Sequence, residues 1–187
     1  MMKHYWETPT DYSVKISKGF SALRPNNFNL PAGTSAKYFR DTLPNPLAIR
    51  QMVFSGFEKC CYPYQKFQSD SERRFAVLLE DETSVIRWMK PGARHFQIEY
   101  MSGIPYEPDF VVETETEKLI CEPKAANEMQ AEDVRAKARA AVKWCEHASQ
   151  HANEHNSKPW GYLLIPHDAI THNRTLEGLK AEFQVFG

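Results

Sequence analysis

The chain lacks any long apolar stretch, and this absence limits where it can work. None of its 187 residues lies in an apolar run approaching the roughly 18–20 residues that span a bilayer. The N-terminal segment also contains no apolar region of the kind found in secretory signal peptides. We therefore expect no membrane partner and a cytoplasmic location.

Phosphate-binding glycine loops and paired cysteines are missing as well. The 8 glycines include no G-x-x-x-x-G-K-[ST] pattern, in which backbone N–H groups and a lysine hold the phosphates of a nucleotide. The 4 cysteines include no C-x-x-C pair, so neither a zinc site nor a disulfide framework is expected. Cys121 and Cys145 are instead expected to be small buried side chains.

The patterns that are present predict helices and strands in a definite order. Residues 1–68 are rich in Pro and Asn and are interpreted as an N-terminal extension packed on the core, with one helix from Leu47 to Phe57. Residues 69–187 have the patterns of a single domain. Helices are predicted at 71–81, 131–152 and 176–183, and strands at 85–89, 96–101, 106–113, 117–124 and 160–165. This order predicts the α/β class, with a mixed β-sheet flanked by helices.

The two strands 106–113 and 117–124 form a predicted hairpin that brings charged residues together. With the turn centred between Glu115 and Thr116, Asp109 lies opposite Glu122. Side chains alternate along a strand, so Lys124 projects from the same face as Glu122. The hairpin therefore predicts a cluster of two carboxylates and one ammonium.

Such a cluster is costly unless a cation lies between the acids. Like charges that face each other destabilise a sheet, and Mg²⁺ suits two carboxylates, backbone carbonyls and water. Lys124 would then hold or polarise the attacking water during phosphodiester hydrolysis. The competing interpretation is structural: Asp109 caps a turn, and Glu122 and Lys124 form the exposed face of an edge strand, where Pro123 is tolerated. The apolar runs on both sides of the turn favour a buried strand and hence the catalytic interpretation.

Several segments around these residues resemble one nuclease family. Pro108-Asp109 followed by Glu122-Pro123-Lys124 is similar to the PD-(D/E)xK signature. The longer segments resemble the C-terminal endonuclease region of type III restriction enzyme Res subunits and related helicase-nuclease proteins. They are 69–76 (SDSERRFA), 106–114 (YEPDFVVET), 121–124 (CEPK), the alanine-rich helix through Trp144-Cys145, and 162–168 (YLLIPHD). The similarity runs from about Leu43 to the C-terminus.

The resemblance implies a restriction-endonuclease-like fold and a Mg²⁺-dependent endodeoxyribonuclease. Asp109 and Glu122 would bind the metal, and Lys124 would assist the water. The carbonyl of Pro123 would be a further metal ligand, although proline is unusual at this position of the motif. In that family an ATP-dependent helicase or translocase precedes the nuclease on the same polypeptide, and a modification methyltransferase subunit recognises the DNA. Because 187 residues leave no room for that motor, the chain is expected to be a fragment or an orphan nuclease.

Glu72 has two interpretations. By resemblance it is an accessory catalytic acid that binds metal or orients the site. Its position three residues after Ser69 also fits a capping box, in which its carboxylate reaches back to the backbone N–H of Ser69.

The net charge of −1 does not favour strong DNA binding by the whole surface, but basic residues are clustered. Arg135 and Lys137 lie on the helix that follows the predicted site and are expected to contact DNA phosphates. They would equally suit a solvated helix face, with Lys137 paired to Asp133.

Histidines recur at 147, 151 and 155, which invites a metal site on one helix face. Their polar flanks are more typical of a solvated helix end, where cationic histidines suit the helix dipole.

Two other functions remain compatible with the sequence. The first is a catalytically silent DNA-binding or docking module with the same fold. The second is a transposon-type or resolvase-type nuclease of the PD-(D/E)xK superfamily, which shares the order of a helix followed by a hairpin.

Overall fold

Strands and helices alternate along the chain much as the residue patterns predict. In the computed structural model of the protein, the described residues are 35–43, 45–101 and 104–187. The strands are β1 (Lys37–Tyr38), β2 (Phe54–Ser55), β3 (Tyr64–Gln65), β4 (Val85–Met89), β5 (Ile98–Met101), β6 (Ile104–Tyr106), β7 (Phe110–Thr114), β8 (Lys118–Lys124), β9 (Trp160–Pro166) and β10 (Gln184–Val185). The α-helices are α1 (Asp70–Asp81), α2 (Glu132–Glu154) and α3 (Leu176–Phe183), and short 3-10 helices lie at Pro46–Gln51, Ala126–Glu128 and His167–Ala169.

Five strands form the main sheet, in the order β10-β9-β8-β7-β4. Strands β8 and β9 are parallel, and the other neighbours are antiparallel, so the sheet is mixed. One face packs against α1 and α3 through a core that includes Phe75, Leu79 and Leu179. The other face packs against α2 and the β5-β6 hairpin. The predicted α/β class, a mixed sheet flanked by helices, is confirmed.

Alternation along β8 explains how one strand serves both faces. Leu119 and Cys121 lie in the core on the α1 side, whereas Ile120 lies in the core on the α2 side. The alanine-rich stripe of α2 lets this helix approach the sheet closely, and its buried members are Val134, Ala138, Ala141, Val142, Cys145, Ala148 and Ala152. Cys121 and Cys145 are buried and unpaired, as expected.

Two predicted elements differ from the structure. The helix predicted from Leu47 to Phe57 is wrong: a 3-10 helix ends at Gln51, and the chain then forms β2. Gly56 follows with φ 95°, a left-handed conformation in which an added Cβ would lie 2.5 Å from the ring of Tyr38. The strand predicted at 106–113 is broken at Pro108, because the residues before it pair with β5 and those after it pair with β8.

The described part of the N-terminal extension shares the main core. Phe39, Phe54 and Phe67 belong to the same cluster of buried side chains as Phe75 and Phe110. Residues 1–34 of the predicted extension lie outside the described residues, and its boundary at residue 68 stays a prediction. No helix in the described ranges is long and apolar enough to cross a membrane.

A buried carboxylate on α1 ties this extension to the sheet. Glu80 is 9% exposed and accepts hydrogen bonds from the backbone N–H groups of Glu58, Lys59 and Cys60 at 2.8–3.1 Å. It also accepts one from Nε1 of Trp88 at 2.8 Å. No local pattern predicts this role, because the backbone partners lie 20–22 residues earlier in the chain.

Glu80→Ala is expected to lower the free energy of unfolding by roughly 3 kcal/mol, because each buried donor left without a partner costs about 1–3 kcal/mol. The exposed Asp81→Asn variant is the matched control and should change it by less than about 1 kcal/mol. Urea unfolding followed by tryptophan fluorescence measures both. Equal effects of the two substitutions would contradict the bridging role of Glu80.

Candidate active site

The candidate site lies where β8 continues beyond the start of β7. The ladder between these strands ends at the pair of Phe110 with Cys121, and Glu113 pairs with Lys118, as the predicted turn requires. Asp109 lies just before β7, and its backbone N–H donates to Oε2 of Glu122 at 3.2 Å. The predicted proximity of Asp109 and Glu122 is confirmed.

Lys124 completes the predicted cluster on the same face of β8. Its Nζ lies 3.3 Å from Oε1 of Glu122, whereas Pro123 between them is buried. The interpretation of β8 as an edge strand is wrong, because it is the middle strand of the sheet. Beyond Cys121 its ladder continues only to β9, so the missing N–H of Pro123 falls where one side of the strand is open.

Tyr106 orients the buried carboxylate, a role that sequence reasoning missed. Its hydroxyl donates to Oε2 of Glu122 at 2.8 Å, and Tyr162 is hydrogen-bonded to Tyr106 in turn. Burial, followed by the charge of Glu122, raises the pKa of both tyrosines well above the usual range, so both hydroxyls keep their protons. The break at Pro108 is what turns Tyr106 towards β8, and no local pattern predicts that turn.

Glu72 reaches the cluster through a lysine. The side chain of Ser69 caps α1 by accepting from the N–H of Glu72 at 3.3 Å. The carboxylate of Glu72 accepts from the N–H of Gln68 at 3.1 Å, not from that of Ser69, so the reciprocal half of the predicted capping box is displaced by one residue. The same oxygen lies 2.7 Å from Nζ of Lys90.

Lys90 links the two acidic groups, a role that sequence reasoning missed. Its Nζ lies 3.6 Å from Oδ1 of Asp109 and 4.5 Å from the centre of the Phe110 ring. Lys90 directly follows β4, whose antiparallel pairing with β7 brings it near Asp109, and no local sequence pattern predicts this pairing. The site therefore contains three carboxylates (Glu72, Asp109, Glu122) and two ammonium groups (Lys90, Lys124), a formal charge of −1.

The electrostatics of the site centre on Glu122. Burial raises its pKa most, the neighbouring Asp109 raises it further, and together they bring it to about 7. Lys124, the Tyr106 hydroxyl and the Asp109 N–H favour the ionised form but do not offset this. Burial lowers the pKa of Lys124, yet Glu122 and Asp109 outweigh burial and raise it overall. Lys124 therefore stays protonated and acts as a fixed positive charge.

Two close carboxylates with residual negative charge are a donor set that suits Mg²⁺. This ion commonly uses one or two protein carboxylates and keeps several waters. Among the described residues, no group of three or more His, Cys, Asp or Glu side chains converges on one point. Asp109 and Glu122 are thus the side chains that would bind a cation here, and the bond from Glu72 to Lys90 places Glu72 outside the direct ligand pair.

The other predicted residues lie on α2. Lys137 pairs with Asp133 at 3.4 Å and lies over the ring of Tyr100, whereas Arg135 is exposed. The helix begins eight residues after Lys124, and both residues lie in its first two turns.

The histidines lie at the other end of this helix. The rings of His151 and His155 stack with centroids 4.1 Å apart, and Nδ1 of His155 lies 2.8 Å from the carbonyl oxygen of His151. His155 caps the helix, and no metal-binding group is formed by the three histidines within the described ranges. The interpretation as a helix end is confirmed.

Comparison of the sequence with models of protein families gave no match, and comparison with curated proteins also gave none.

Proposed function

We propose that the chain is a Mg²⁺-dependent endodeoxyribonuclease domain of the PD-(D/E)xK type, with the restriction-endonuclease-like fold. One observation carries the proposal: Glu122, which is 7% exposed, lies against Asp109 and Lys124 at the C-terminal end of β8. Burying a carboxylate beside a second one raises the free energy of the metal-free fold. Such an arrangement is expected where a cation binds, since buried carboxylates with raised pKa values are common at functional sites.

Each side chain then has a chemical role. Asp109 and Glu122 would hold the metal, with the carbonyl of Pro123 as a further oxygen donor. A Mg²⁺ ion held there would supply a Lewis acid for the scissile phosphate and the attacking water. Lys124, whose pKa the two carboxylates raise in the metal-free chain, would orient the attacking water and stabilise negative charge on the phosphate. Tyr106 fixes the Glu122 carboxylate, and Lys90 positions Glu72 and Asp109 relative to each other.

DNA would approach along the edge at which β8 ends and α2 begins. Arg135 and Lys137 on the first turns of α2 are proposed to contact backbone phosphates, and Lys137 would exchange its exposed partner Asp133 for a phosphate at little cost.

We propose further that the chain is the nuclease part of a type III restriction enzyme Res subunit, with an ATP-dependent helicase or translocase and a modification methyltransferase as partners.

The direct test is metal-dependent cleavage of supercoiled plasmid. The chain is expected to nick or linearise the plasmid with Mg²⁺ or Mn²⁺ and to lose this activity when EDTA removes the metal, because Asp109 and Glu122 alone cannot activate water. Adding excess Mg²⁺ should restore it. The appearance of open-circular and linear DNA on a gel measures the rate.

Cleavage that continues in EDTA would contradict the metal-dependent mechanism. An intact plasmid under every metal condition, together with DNA binding, would favour the silent DNA-binding or docking module.

A further inference from the structure

We propose that a second cleft, on the outer side of α1, is a binding site for a phosphate group. The cleft has a volume of about 480 Å³ and lies between α1, Arg40 and the segment 171–175. This volume falls within the roughly 300–1,000 Å³ typical of ligand sites. Its lining includes three threonines, one histidine and four arginines, which are Arg40, Arg73, Arg74 and Arg174. Guanidinium and hydroxyl groups are the donors that recognise phosphate.

Two buried donors in this cleft lack a hydrogen-bond acceptor. Within the described part of the chain, the buried side-chain polar atoms without a hydrogen-bond partner are Nε of Arg74 and Nε of Arg174. Both side chains line the same cleft. A buried donor without a partner is unfavourable, and such an atom commonly indicates an ion or water that binds there.

The remaining nitrogens show which arginines can take a ligand. Arg73 is fully engaged, since it binds Asp70 through two nitrogens and donates to the carbonyl oxygen of Phe39 at 2.8 Å. Arg73 therefore has a structural role.

Arg74 and Arg174 are each anchored at one end. Arg74 donates through Nη1 to the carbonyl oxygen of Ile170, and its Nε lies 3.3 Å from Asp70 without the alignment of a hydrogen bond. Arg174 donates through Nη2 to Glu182. These anchors fix the two planar forks at the wall of the cleft.

The charges in and beside the cleft sum to zero, so an anion would be held there by geometry rather than by net charge. Asp81 and Glu82 also line it, so the four arginines and two carboxylates of the lining give a formal charge of +2. Asp70 and Glu182 pair with arginines from beside it and balance this charge. Recognition would then depend on aligned guanidinium N–H groups, as in bidentate phosphate binding. The ion pair of Arg40 with Asp81 is substantially exposed and would open at little cost.

The phosphate group could come from two sources. Arg73 and Arg74 directly follow Glu72 on α1, so a DNA backbone that leaves the candidate active site could place a phosphate here. A free phosphate compound offers the same chemistry. The binding site stands whether or not the chain is a nuclease, because its residues are separate from Asp109, Glu122 and Lys124.

The first experiment measures inorganic phosphate binding by thermal shift, with sodium chloride at equal ionic strength as the reference. Phosphate is expected to raise the melting temperature of the wild-type chain above the chloride reference, because it binds the folded state. Arg174→Gln and Arg74→Gln should each weaken phosphate binding at least tenfold. Arg174→Lys should also weaken it, since lysine keeps the charge but not the fork. Arg87→Gln removes an exposed arginine paired with Glu113 and should bind phosphate like the wild type.

Each variant is compared with itself in chloride, so a change in intrinsic stability does not affect the result. The proposal is overturned if phosphate stabilises the wild-type chain no more than chloride, or if the Arg174 and Arg74 variants keep wild-type affinity.

A second experiment identifies the source, using a short DNA duplex in EDTA so that cleavage cannot occur. If Arg174→Gln lowers duplex affinity several-fold more than Arg87→Gln, the phosphate belongs to the DNA backbone. If both variants bind the duplex equally while Arg174→Gln has lost phosphate binding, the site serves a free phosphate compound. Failure of plasmid cleavage would leave both readouts unchanged, so this site and the proposed nuclease are tested separately.

Discussion

Asp109→Asn is expected to lower Mg²⁺-dependent plasmid cleavage by at least about a hundredfold while leaving the fold intact. The substitution keeps the shape of the side chain, which is 26% exposed, and removes one of the two charged oxygen ligands proposed for the metal. The measurement is the initial rate of plasmid nicking at saturating Mg²⁺. Glu115→Gln, in the turn at the other end of the β7-β8 hairpin, makes the same change from carboxylate to amide on an exposed side chain and should cleave at the wild-type rate.

The same substitution should have a different effect on stability. The charge of Asp109 raises the pKa of Glu122, so removing it relieves repulsion on a buried carboxylate. Lys90 would lose a partner at 3.6 Å but keep Glu72 at 2.7 Å. The metal-free variant is therefore expected to be as stable as the wild type or more stable. A large loss of stability together with the loss of cleavage would mean that Asp109 serves the fold, against the proposal.

Lys124→Met should separate catalysis from metal binding. Methionine keeps most of the apolar stem but removes the positive charge that we assign to the water and the phosphate, so cleavage is expected to fall roughly a hundredfold or more. Mg²⁺ affinity should stay the same or increase, because Nζ lies 3.3 Å from Oε1 of Glu122 and competes with a cation for that carboxylate. Plasmid cleavage and calorimetric titration of Mg²⁺ measure the two effects.

Lys118→Met is the matched control for this experiment. Lys118 lies on the same strand at its opposite end, where it contacts Ser157 and the ring of Trp160. Its loss should change neither cleavage nor Mg²⁺ binding. If Lys124→Met cleaved like Lys118→Met, Lys124 would have no catalytic role.

Local rules were sufficient to predict the centre of the site. A short polar turn fixes the register of an antiparallel hairpin, and alternation fixes the face, so the contacts among Asp109, Glu122 and Lys124 followed from spacing alone. The helix prediction was wrong in the segment after Leu47, where the local signal was ambiguous. In the structure Phe54 is buried in a strand, and the left-handed conformation of Gly56 follows it.

The surroundings of the site depend on contacts between distant segments. Tyr106 reaches Glu122 only because the chain breaks at Pro108, and Lys90 reaches Asp109 only through the pairing of β4 with β7. Glu80 binds a loop more than 20 residues earlier in the chain. No periodicity in one sequence encodes such contacts, so they required the structure.

The central claim is that Asp109 and Glu122 form a divalent cation site. Isothermal titration of Mg²⁺ into the metal-free chain and into Asp109→Asn tests it without depending on DNA or on a partner. We predict binding with a dissociation constant in or below roughly the millimolar range for the wild-type chain, and affinity at least tenfold weaker for Asp109→Asn. Absence of binding to the wild-type chain, or equal binding by the two proteins, would contradict the claim.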